Sequence, residues 1–410
     1  MSDAPIPPGI RYHSLDLLRG IAVLAIFTVN IKGMAAPFAY YANASLWPGP
    51  HDMTIAGLQA FLIEDKWRTI FTALFGAGII LIAQKTDKND AHPIHLLYRR
   101  LGWLCAFGLI HLILIWGGDI LITYALAGFV ATLFWRLSLK RLWYLCAIFL
   151  GLSYLWIGIF DSFLLIDNAL RADVKSVMWT INPDIIPREV TTFLSSNVGD
   201  HIWERLLSAP EYILTYFLAG GRFVETLGIM LGGMALWKNG FLKAELTPQT
   251  YKKIAIAGLG LAIILDTGRW AALIISGWNF DIFVIGLYSN FFNGLAGGLG
   301  FAALIMLWAQ PPSQSKQKST SLIQKSFANA GKMAFTNYIA CSLIGTTLFY
   351  GHGFSLFGEL TLAELMGIVA ITWMGLLLFS SLWLSFFRFG PLEWLWRSFT
   401  YGRAQPILRK

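Results

Sequence analysis

The fold of this chain is decided by residues 101–136, which read LGWLCAFGLIHLILIWGGDILITYALAGFVATLFWR. Two apolar runs, 101–116 and 119–136, are joined only by Gly117 and Gly118. Apolar runs of about this length are typical of helices that cross the roughly 30 Å hydrocarbon core of a bilayer. We therefore predict a tight helical hairpin across a membrane.

The rest of the chain has the same character. Of its 410 residues, 56% are hydrophobic and 13% are charged, and the mean hydropathy is +0.60. A soluble domain carries about 25% charged residues, so this composition excludes a soluble enzyme, a coiled coil and a disordered chain. The apolar runs are continuous, whereas the strands of an outer-membrane barrel alternate apolar and polar residues. The predicted fold class is therefore all-α, a polytopic membrane helix bundle.

Ten apolar runs are long enough to cross a bilayer. They are 17–37, 67–83, 101–116, 119–136, 142–165, 211–236, 254–276, 282–309, 331–350 and 362–387. With the N-terminus inside, twenty Lys and Arg residues fall on cytoplasmic segments and four on external ones. Since basic residues favour cytoplasmic loops, we predict about ten transmembrane spans with both termini cytoplasmic. The same bias accounts for the net charge of +8, so nucleic acid is not expected as a partner.

A stretch rich in Pro, Ser, Lys and Gln divides the chain. This composition is typical of a flexible linker, and we assign residues 310–330 to a cytoplasmic linker. The linker would join an N-terminal eight-span block, 1–309, to a C-terminal two-span block, 331–410, that ends in a cytoplasmic basic tail.

Ionisable side chains inside apolar runs are the candidate functional residues, because a charge within a bilayer is costly. Three acid–base pairs are spaced three residues apart, which places both members on one helix face. They are Asp16 with Arg19, Arg222 with Glu225, and Asp266 with Arg269. Either the three pairs line one polar cavity, or they are separate structural ion pairs. The arginine fork binds phosphate and carboxylate groups, so an anionic ligand would explain them.

Two further sites carry ionisable groups. Glu64 and Arg68 are four apart where a span begins. Either they pair with each other, or they belong to an ordinary interfacial collar of charges. His111 is the only histidine inside an apolar run. It could act as a general base oriented by Asp119, or it could be a hydrogen-bonded packing residue. Cysteine and histidine spacings typical of metal sites are absent from the sequence, so no metal is predicted.

Several segments resemble a known family. The stretch SLDLLRGIAVLAIFTVNI (14–31) resembles the first-span motif of the transmembrane acyltransferase superfamily, which includes the bacterial acyltransferase-three proteins and the lysosomal heparan-α-glucosaminide N-acetyltransferase. Further segments narrow the resemblance: KWRTIFTALFGAG (66–78), GLIHLILIWGGDILITYALAG (108–128), ETLGIMLGGMALWKNG (225–240), GKMAFTNYIACS (331–342) and FGPLEWLWRSFTYGR (389–403). On these motifs the chain is identified as a member of the YeiB-like family of bacterial inner-membrane proteins, a domain of unknown function.

The resemblance implies an enzyme that takes an acyl group from acyl-CoA or acetyl-CoA on the cytoplasmic side. The acceptor would be an envelope sugar, a lipid or a small molecule. Acyltransferase-three proteins carry a histidine eleven residues after the motif arginine, and that count from Arg19 reaches Asn30. The lysosomal enzyme also has asparagine there and a catalytic histidine on a later stretch, whereas residues 40–47 of this chain have none.

His111 is then the best substitute for the missing histidine. Under this reading it acts as general base with Asp119, and Asn30 stabilises the oxyanion. Three arginines, Arg19, Arg222 and Arg269, would hold the donor phosphates.

Two other function classes stay open. One is a transporter or permease for a small anionic metabolite, in which the buried arginines bind substrate. The other is a non-catalytic membrane sensor or scaffold. In every case the expected setting is the bacterial inner membrane, with the lipid bilayer as a partner and a homo-oligomer possible.

Overall fold

The computed structural model describes residues 12–87, 92–214, 221–310 and 321–409. Seventeen α-helices lie within these ranges. They are α1 (His13–Ala35), α2 (Phe38–Ala42), α3 (Asp52–Leu62), α4 (Lys66–Asp87), α5 (Pro93–Ile110), α6 (Leu121–Ala131), α7 (Leu139–Ile166), α8 (Asn168–Met178), α9 (Ile185–Phe193), α10 (Val198–Tyr212), α11 (Arg222–Lys238), α12 (Pro248–Ile275), α13 (Phe280–Ala309), α14 (Leu322–Lys332), α15 (Ala334–Phe349), α16 (Leu362–Phe386) and α17 (Pro391–Tyr401).

The predicted spans coincide with these helices. Seven helical stretches of the described residues are long and apolar enough to cross a membrane, and α3 and α4 count as one of them. Two shorter apolar helices, Leu121–Phe134 and Ala334–Phe349, match two more of the predicted runs. The run 211–236 is matched by α11, and its residues 215–220 lie outside the described part of the chain. The chain is therefore an all-α polytopic membrane helix bundle.

Helix α1 packs against helices from both halves of the chain. It crosses α14 where Gly20 meets Gly331, and a β-carbon on either glycine would overlap the backbone of the other helix. Trp373 on α16 donates its indole N–H to the carbonyl of Leu24 at 2.9 Å. The predicted C-terminal block therefore packs directly on the first span.

The predicted linker is partly helical. Residues 311–320 lie outside the described part of the chain, but α14 already begins at Leu322. Ser321 and Gln324 form a reciprocal capping box at its start, which satisfies two backbone N–H groups at the helix end. The linker prediction for 310–330 therefore runs too far, because this local cap and the contact with α1 order the second half.

The segment that follows α7 folds into three short helices, α8, α9 and α10. Trp179, which follows α8, is buried and donates to the carbonyl of Trp278 at 2.9 Å. The segment is thus tied to the turn between α12 and α13.

Candidate functional site

A continuous chain of hydrogen bonds joins Asp119, His111 and Ser342. His111 Nδ1 lies 2.8 Å from Asp119 Oδ2, and His111 Nε2 lies 2.9 Å from Ser342 Oγ. All three residues are at most 1% exposed. His111 and Asp119 are thus in contact although eight residues separate them; that Asp119 orients a general base stays a prediction.

Local backbone geometry brings Asp119 to the histidine. His111 begins a π-helical turn, His111–Ile115, that ends α5, and such turns are common at functional sites. Gly108 lies one turn earlier, where a β-carbon would meet the backbone nitrogen of Ile122 at 2.8 Å. Only glycine therefore allows the start of α6 to approach α5 so closely. Asp119 Oδ1 in turn accepts the backbone N–H of Ile122 at 2.9 Å.

Arg205 on the external helix α10 stabilises the π-helical turn. Its Nε donates to the carbonyl of Ile113 at 2.8 Å, and its Nη2 donates to the carbonyl of Leu114 at 3.3 Å. Carbonyls at a helix end lack intrahelical partners. The guanidinium of Arg205 supplies the hydrogen-bond donors that these carbonyls would otherwise take from water. Burial lowers the pKa of Arg205 from its ordinary value.

The hydrogen-bond chain assigns the protonation of the histidine. An ionised carboxylate only accepts, so Nδ1–H donates to Asp119 and Nε2 is left as an acceptor. The hydroxyl of Ser342, which also lies 3.5 Å from the carbonyl of Tyr338, then donates to Nε2 in this tautomer. A serine hydroxyl hydrogen-bonded to a histidine that is oriented by a carboxylate is the arrangement that activates a nucleophile.

Aromatic rings enclose this chain. The ring centroids of His111 and Tyr338 are 5.1 Å apart, and those of His111 and Trp116 are 6.4 Å apart. The indole of Trp116 also packs on Gly33 of α1. Asn30 lies one turn before Gly33 on the same helix, half-buried, with no side-chain hydrogen bond to the described residues. Its predicted role toward an oxyanion stays a prediction.

A second polar region surrounds the corner between α3 and α4. Asp65 has a φ of 55°, a left-handed conformation that aspartate tolerates better than most residues. Glu64 bonds Lys32 at 3.2 Å and Arg269 at 3.4 Å. Arg68 bonds Asp65 at 2.9 Å and Glu225 at 2.7 Å. Of the two alternatives, Glu64 and Arg68 therefore do not pair with each other, because the turn at Asp65 directs them to different helices.

The other members of this cluster come from the following helices. Lys66 and Asp266 form an ion pair at 3.1 Å, with side chains 0% and 1% exposed. Asn293 donates to the second oxygen of Asp266 at 2.7 Å. We call these groups together the outer charge cluster; its ionisable members are Lys32, Glu64, Asp65, Lys66, Arg68, Arg222, Glu225, Asp266 and Arg269.

Two of the three predicted ion pairs belong to this cluster. Arg222 bonds Glu225 at 2.9 Å, and Arg269 lies 3.6 Å from Asp266. Asp16 and Arg19 also pair, at 3.2 Å, but they lie apart. Arg19 and Lys32 are thirteen residues apart on α1, which is roughly 20 Å along a helix axis. The idea of one cavity for all three pairs is therefore wrong, since Asp16 and Arg19 sit at the opposite end of α1.

The described residues contain no group of three or more His, Cys, Asp or Glu side chains that could hold a metal ion. The acids of the outer charge cluster are each bound by Lys or Arg instead.

Comparison with known proteins finds full-length relatives in bacteria. An Escherichia coli (strain K12) protein, "Uncharacterized protein YeiB", is 30% identical over 413 residues, which cover 98% of this chain and 99% of the relative. A Bacillus subtilis (strain 168) protein, "Uncharacterized protein YxaH", is 29% identical over 98% of this chain and 96% of its own. The family profile described as "Protein of unknown function (DUF418)" matches residues 236–403. The chain belongs to the DUF418 family of YeiB-like proteins.

The DUF418 match covers only part of each polar region. Ser342, Asp266 and Arg269 lie within residues 236–403, whereas His111 and Asp119 precede them. The hydrogen-bond chain therefore joins the matched C-terminal part to the N-terminal half, which the full-length relatives also cover.

Sequence reasoning missed several residues of the site. Ser342 closes the motif 331–342, but 231 positions separate it from His111, and no sequence spacing connects residues so far apart. The sequence feature that could have indicated Ser342 is a hydroxyl group within an apolar span. Arg205 and Lys66 were missed because their partners come from other helices.

Proposed function

We propose that this DUF418 protein is a membrane-bound acyltransferase that moves an acyl group from acyl-CoA to an acceptor. The proposal is carried by one observation, the buried hydrogen-bond chain Asp119–His111–Ser342 with contacts of 2.8 and 2.9 Å. The resemblance to transmembrane acyltransferases supports the choice of donor.

The first half-reaction would acylate Ser342. Its Oγ attacks the thioester carbonyl carbon of acyl-CoA while its proton passes to His111 Nε2. The C–S bond breaks, the departing sulfur takes that proton, and CoA leaves as the free thiol. Asp119 stabilises the transient imidazolium, and Asn30 would donate to the oxyanion. Donors positioned at a developing oxyanion are among the largest contributions to catalysis.

The second half-reaction would transfer the acyl group to the acceptor and regenerate the free hydroxyl of Ser342. An acceptor hydroxyl or amine gives its proton to His111 Nε2 and attacks the ester carbonyl of acylated Ser342. The serine oxygen leaves and takes the proton back from His111. The acceptor would be an envelope sugar, a lipid or a small molecule, and the membrane would be the bacterial inner membrane.

The donor phosphates would bind at the cytoplasmic end of α1. Arg19 lies there, bound to Asp16 at 3.2 Å. Arg100 lies within electrostatic range of Arg19 and Arg397, and also of Glu393. Three guanidinium groups beside two carboxylates would suit a phosphate-bearing ligand. Arg222 and Arg269 belong to the outer charge cluster at the other end of the spans, so we assign the donor to Arg19 with Arg100 and Arg397 instead.

A burst assay tests the proposal without knowledge of the acceptor. Purified protein mixed with acetyl-CoA or octanoyl-CoA should release about one thiol per chain. His111→Ala and Ser342→Ala should lose the burst. Ser380→Ala is the matched control, because Ser380 is equally buried but bonds Asn337. A burst of unchanged size in both His111→Ala and Ser342→Ala would contradict the proposal.

A permease for a small anionic metabolite is the second candidate. The observation that favours it is the outer charge cluster, which carries five cationic side chains against four carboxylates. Uptake into proteoliposomes that depends on Arg222 would support it. Absence of both thiol release and uptake from a folded sample would favour the sensor or scaffold. Homo-oligomerisation stays a prediction, since the exposed apolar side chains of α7, α12 and α16 suit lipid as well as a second copy.

A further inference from the structure

A small cavity lies between the outer end of α1, the segment 40–47 and α12. Its volume is about 40 Å³, which is room for roughly three water molecules. Polar groups enter it from Lys32, Glu64 and Arg269, and its remaining wall is largely aromatic. It is separate from the hydrogen-bond chain Asp119–His111–Ser342, none of whose residues lines it.

Two cations and one carboxylate line this cavity. Lys32 and Arg269 share the carboxylate of Glu64, at 3.2 and 3.4 Å. Arg269 also lies 3.6 Å from Asp266, which Lys66 binds at 3.1 Å. A second carboxylate placed in the cavity would give Lys32 and Arg269 a partner that they do not have to share.

Two donors at the cavity have no acceptor among the residues that the structure describes. Arg269 is 10% exposed, and its Nε is buried without a hydrogen bond. The indole Nε1 of the adjacent Trp270 is also buried without a partner. Both residues line the cavity. Buried donors are normally satisfied, so two unsatisfied donors beside a cationic cavity indicate a bound acceptor group.

The size and the walls of the cavity indicate which kind of anion would accept these hydrogen bonds. A carboxylate has three heavy atoms and is planar, whereas phosphate has five and is tetrahedral, so the small volume favours the carboxylate. The arginine fork matches a carboxylate through parallel N–H groups. The volume takes the carboxylate group alone, so the apolar or aromatic carbon body of the acid would extend out of the cavity, past the rings of Trp270 and Trp278 that form part of its wall.

We propose that this cavity binds the carboxylate of a small organic acid that reaches it from the external side. Arg269 Nε and Trp270 Nε1 would donate to its oxygens, and Lys32 would supply the second positive charge. The inference does not depend on acyl transfer, because binding here needs neither His111 nor Ser342.

Binding of benzoate and acetate to the purified full-length protein tests the proposal. Titration calorimetry and thermal unfolding are measured in a buffer without other carboxylates, with inorganic phosphate and chloride as comparison anions. We expect saturable binding of benzoate and a rise in unfolding temperature that phosphate and chloride do not reproduce. Absence of saturable carboxylate binding by folded protein, or equal binding of all four anions, would overturn the proposal.

Two variants locate the binding. Arg269→Gln should abolish it, while Arg171→Gln, a half-exposed arginine paired with Asp281, should leave it unchanged. Trp270→Phe keeps the ring and removes only the N–H, and it should weaken binding roughly tenfold. If Arg269→Gln does not fold, Trp270→Phe decides the matter. Benzoate binding that is unchanged in Trp270→Phe would then overturn the assignment.

Discussion

The two polar regions of this protein lie on different sides of the outer end of α1. The chain Asp119–His111–Ser342 contacts this helix through Trp116 and Gly33, and the outer charge cluster contacts it through Lys32. In the hydrogen-bond chain one histidine has a single partner on each nitrogen. In the outer charge cluster several carboxylates are each shared by two cations.

This difference indicates that buried polar groups have different roles in the two regions. Ion pairs in a medium of low dielectric hold helices together only while both charges are present. A histidine between a carboxylate and a hydroxyl can accept and return a proton without a change of partners. We therefore expect variants of the hydrogen-bond chain to lose activity first and variants of the outer charge cluster to lose stability first.

The largest expected effect is on activity, from His111→Ala. Loss of the general base should slow thiol release from acyl-CoA by about 10²–10⁴-fold. Asp119→Asn should also slow release strongly, because the carboxamide does not stabilise the imidazolium. His201→Gln is the matched control, since His201 is another buried histidine, bonded to the carbonyl of Ser195. Equal loss in His111→Ala and His201→Gln would attribute the effect to packing.

The next effect is on stability, from Lys66→Met. Removal of one member of this fully buried pair leaves Asp266 charged without its main partner, which costs roughly 3–5 kcal/mol. Adding Asp266→Asn should recover most of the loss, because the amide still bonds Asn293 and carries no charge. The measurement is the free energy of unfolding in detergent. A double variant no more stable than Lys66→Met would contradict this account of the cluster.

Arg205→Gln should have an intermediate effect that reaches the hydrogen-bond chain indirectly. It removes two charged hydrogen bonds to the π-helical turn, each worth roughly 1.5–3 kcal/mol. Arg205 is a positioning residue, so thiol release should slow while the burst still approaches one equivalent. Arg205→Lys should restore part of the rate. Full activity and stability in Arg205→Gln would show that the turn needs no external support.

The smallest effect is expected from Arg136→Gln. Arg136 pairs with Asp87 at 3.0 Å, but its side chain is 73% exposed. Exposed pairs contribute little, so unfolding and thiol release should match the wild type. A loss comparable to that of Lys66→Met would remove the distinction between buried and exposed pairs.

Much of the fold could be predicted from the sequence, because length and apolarity alone identify a membrane span. Within the described residues each of the ten predicted runs overlaps a helix, whereas the start of α14 was missed because Ser321 caps it within a polar stretch. The site was harder to predict. His111 and Asp119 are recognisable in the sequence as ionisable residues in an apolar hairpin. Ser342 lies on another helix, 231 positions along the chain from His111. The partners of Glu64 and Arg68 depend on the left-handed turn at Asp65, which helical spacing does not reveal.

Mass spectrometry of protein incubated with acetyl-CoA tests the central claim most directly. Peptide mapping should locate one acetyl group on Ser342 in the wild type. The acetyl group should be absent from His111→Ala and present on Ser342 in the Ser380→Ala control. Thiol release by a folded wild-type sample with no acetyl group on Ser342, and with full release in Ser342→Ala, would contradict the account.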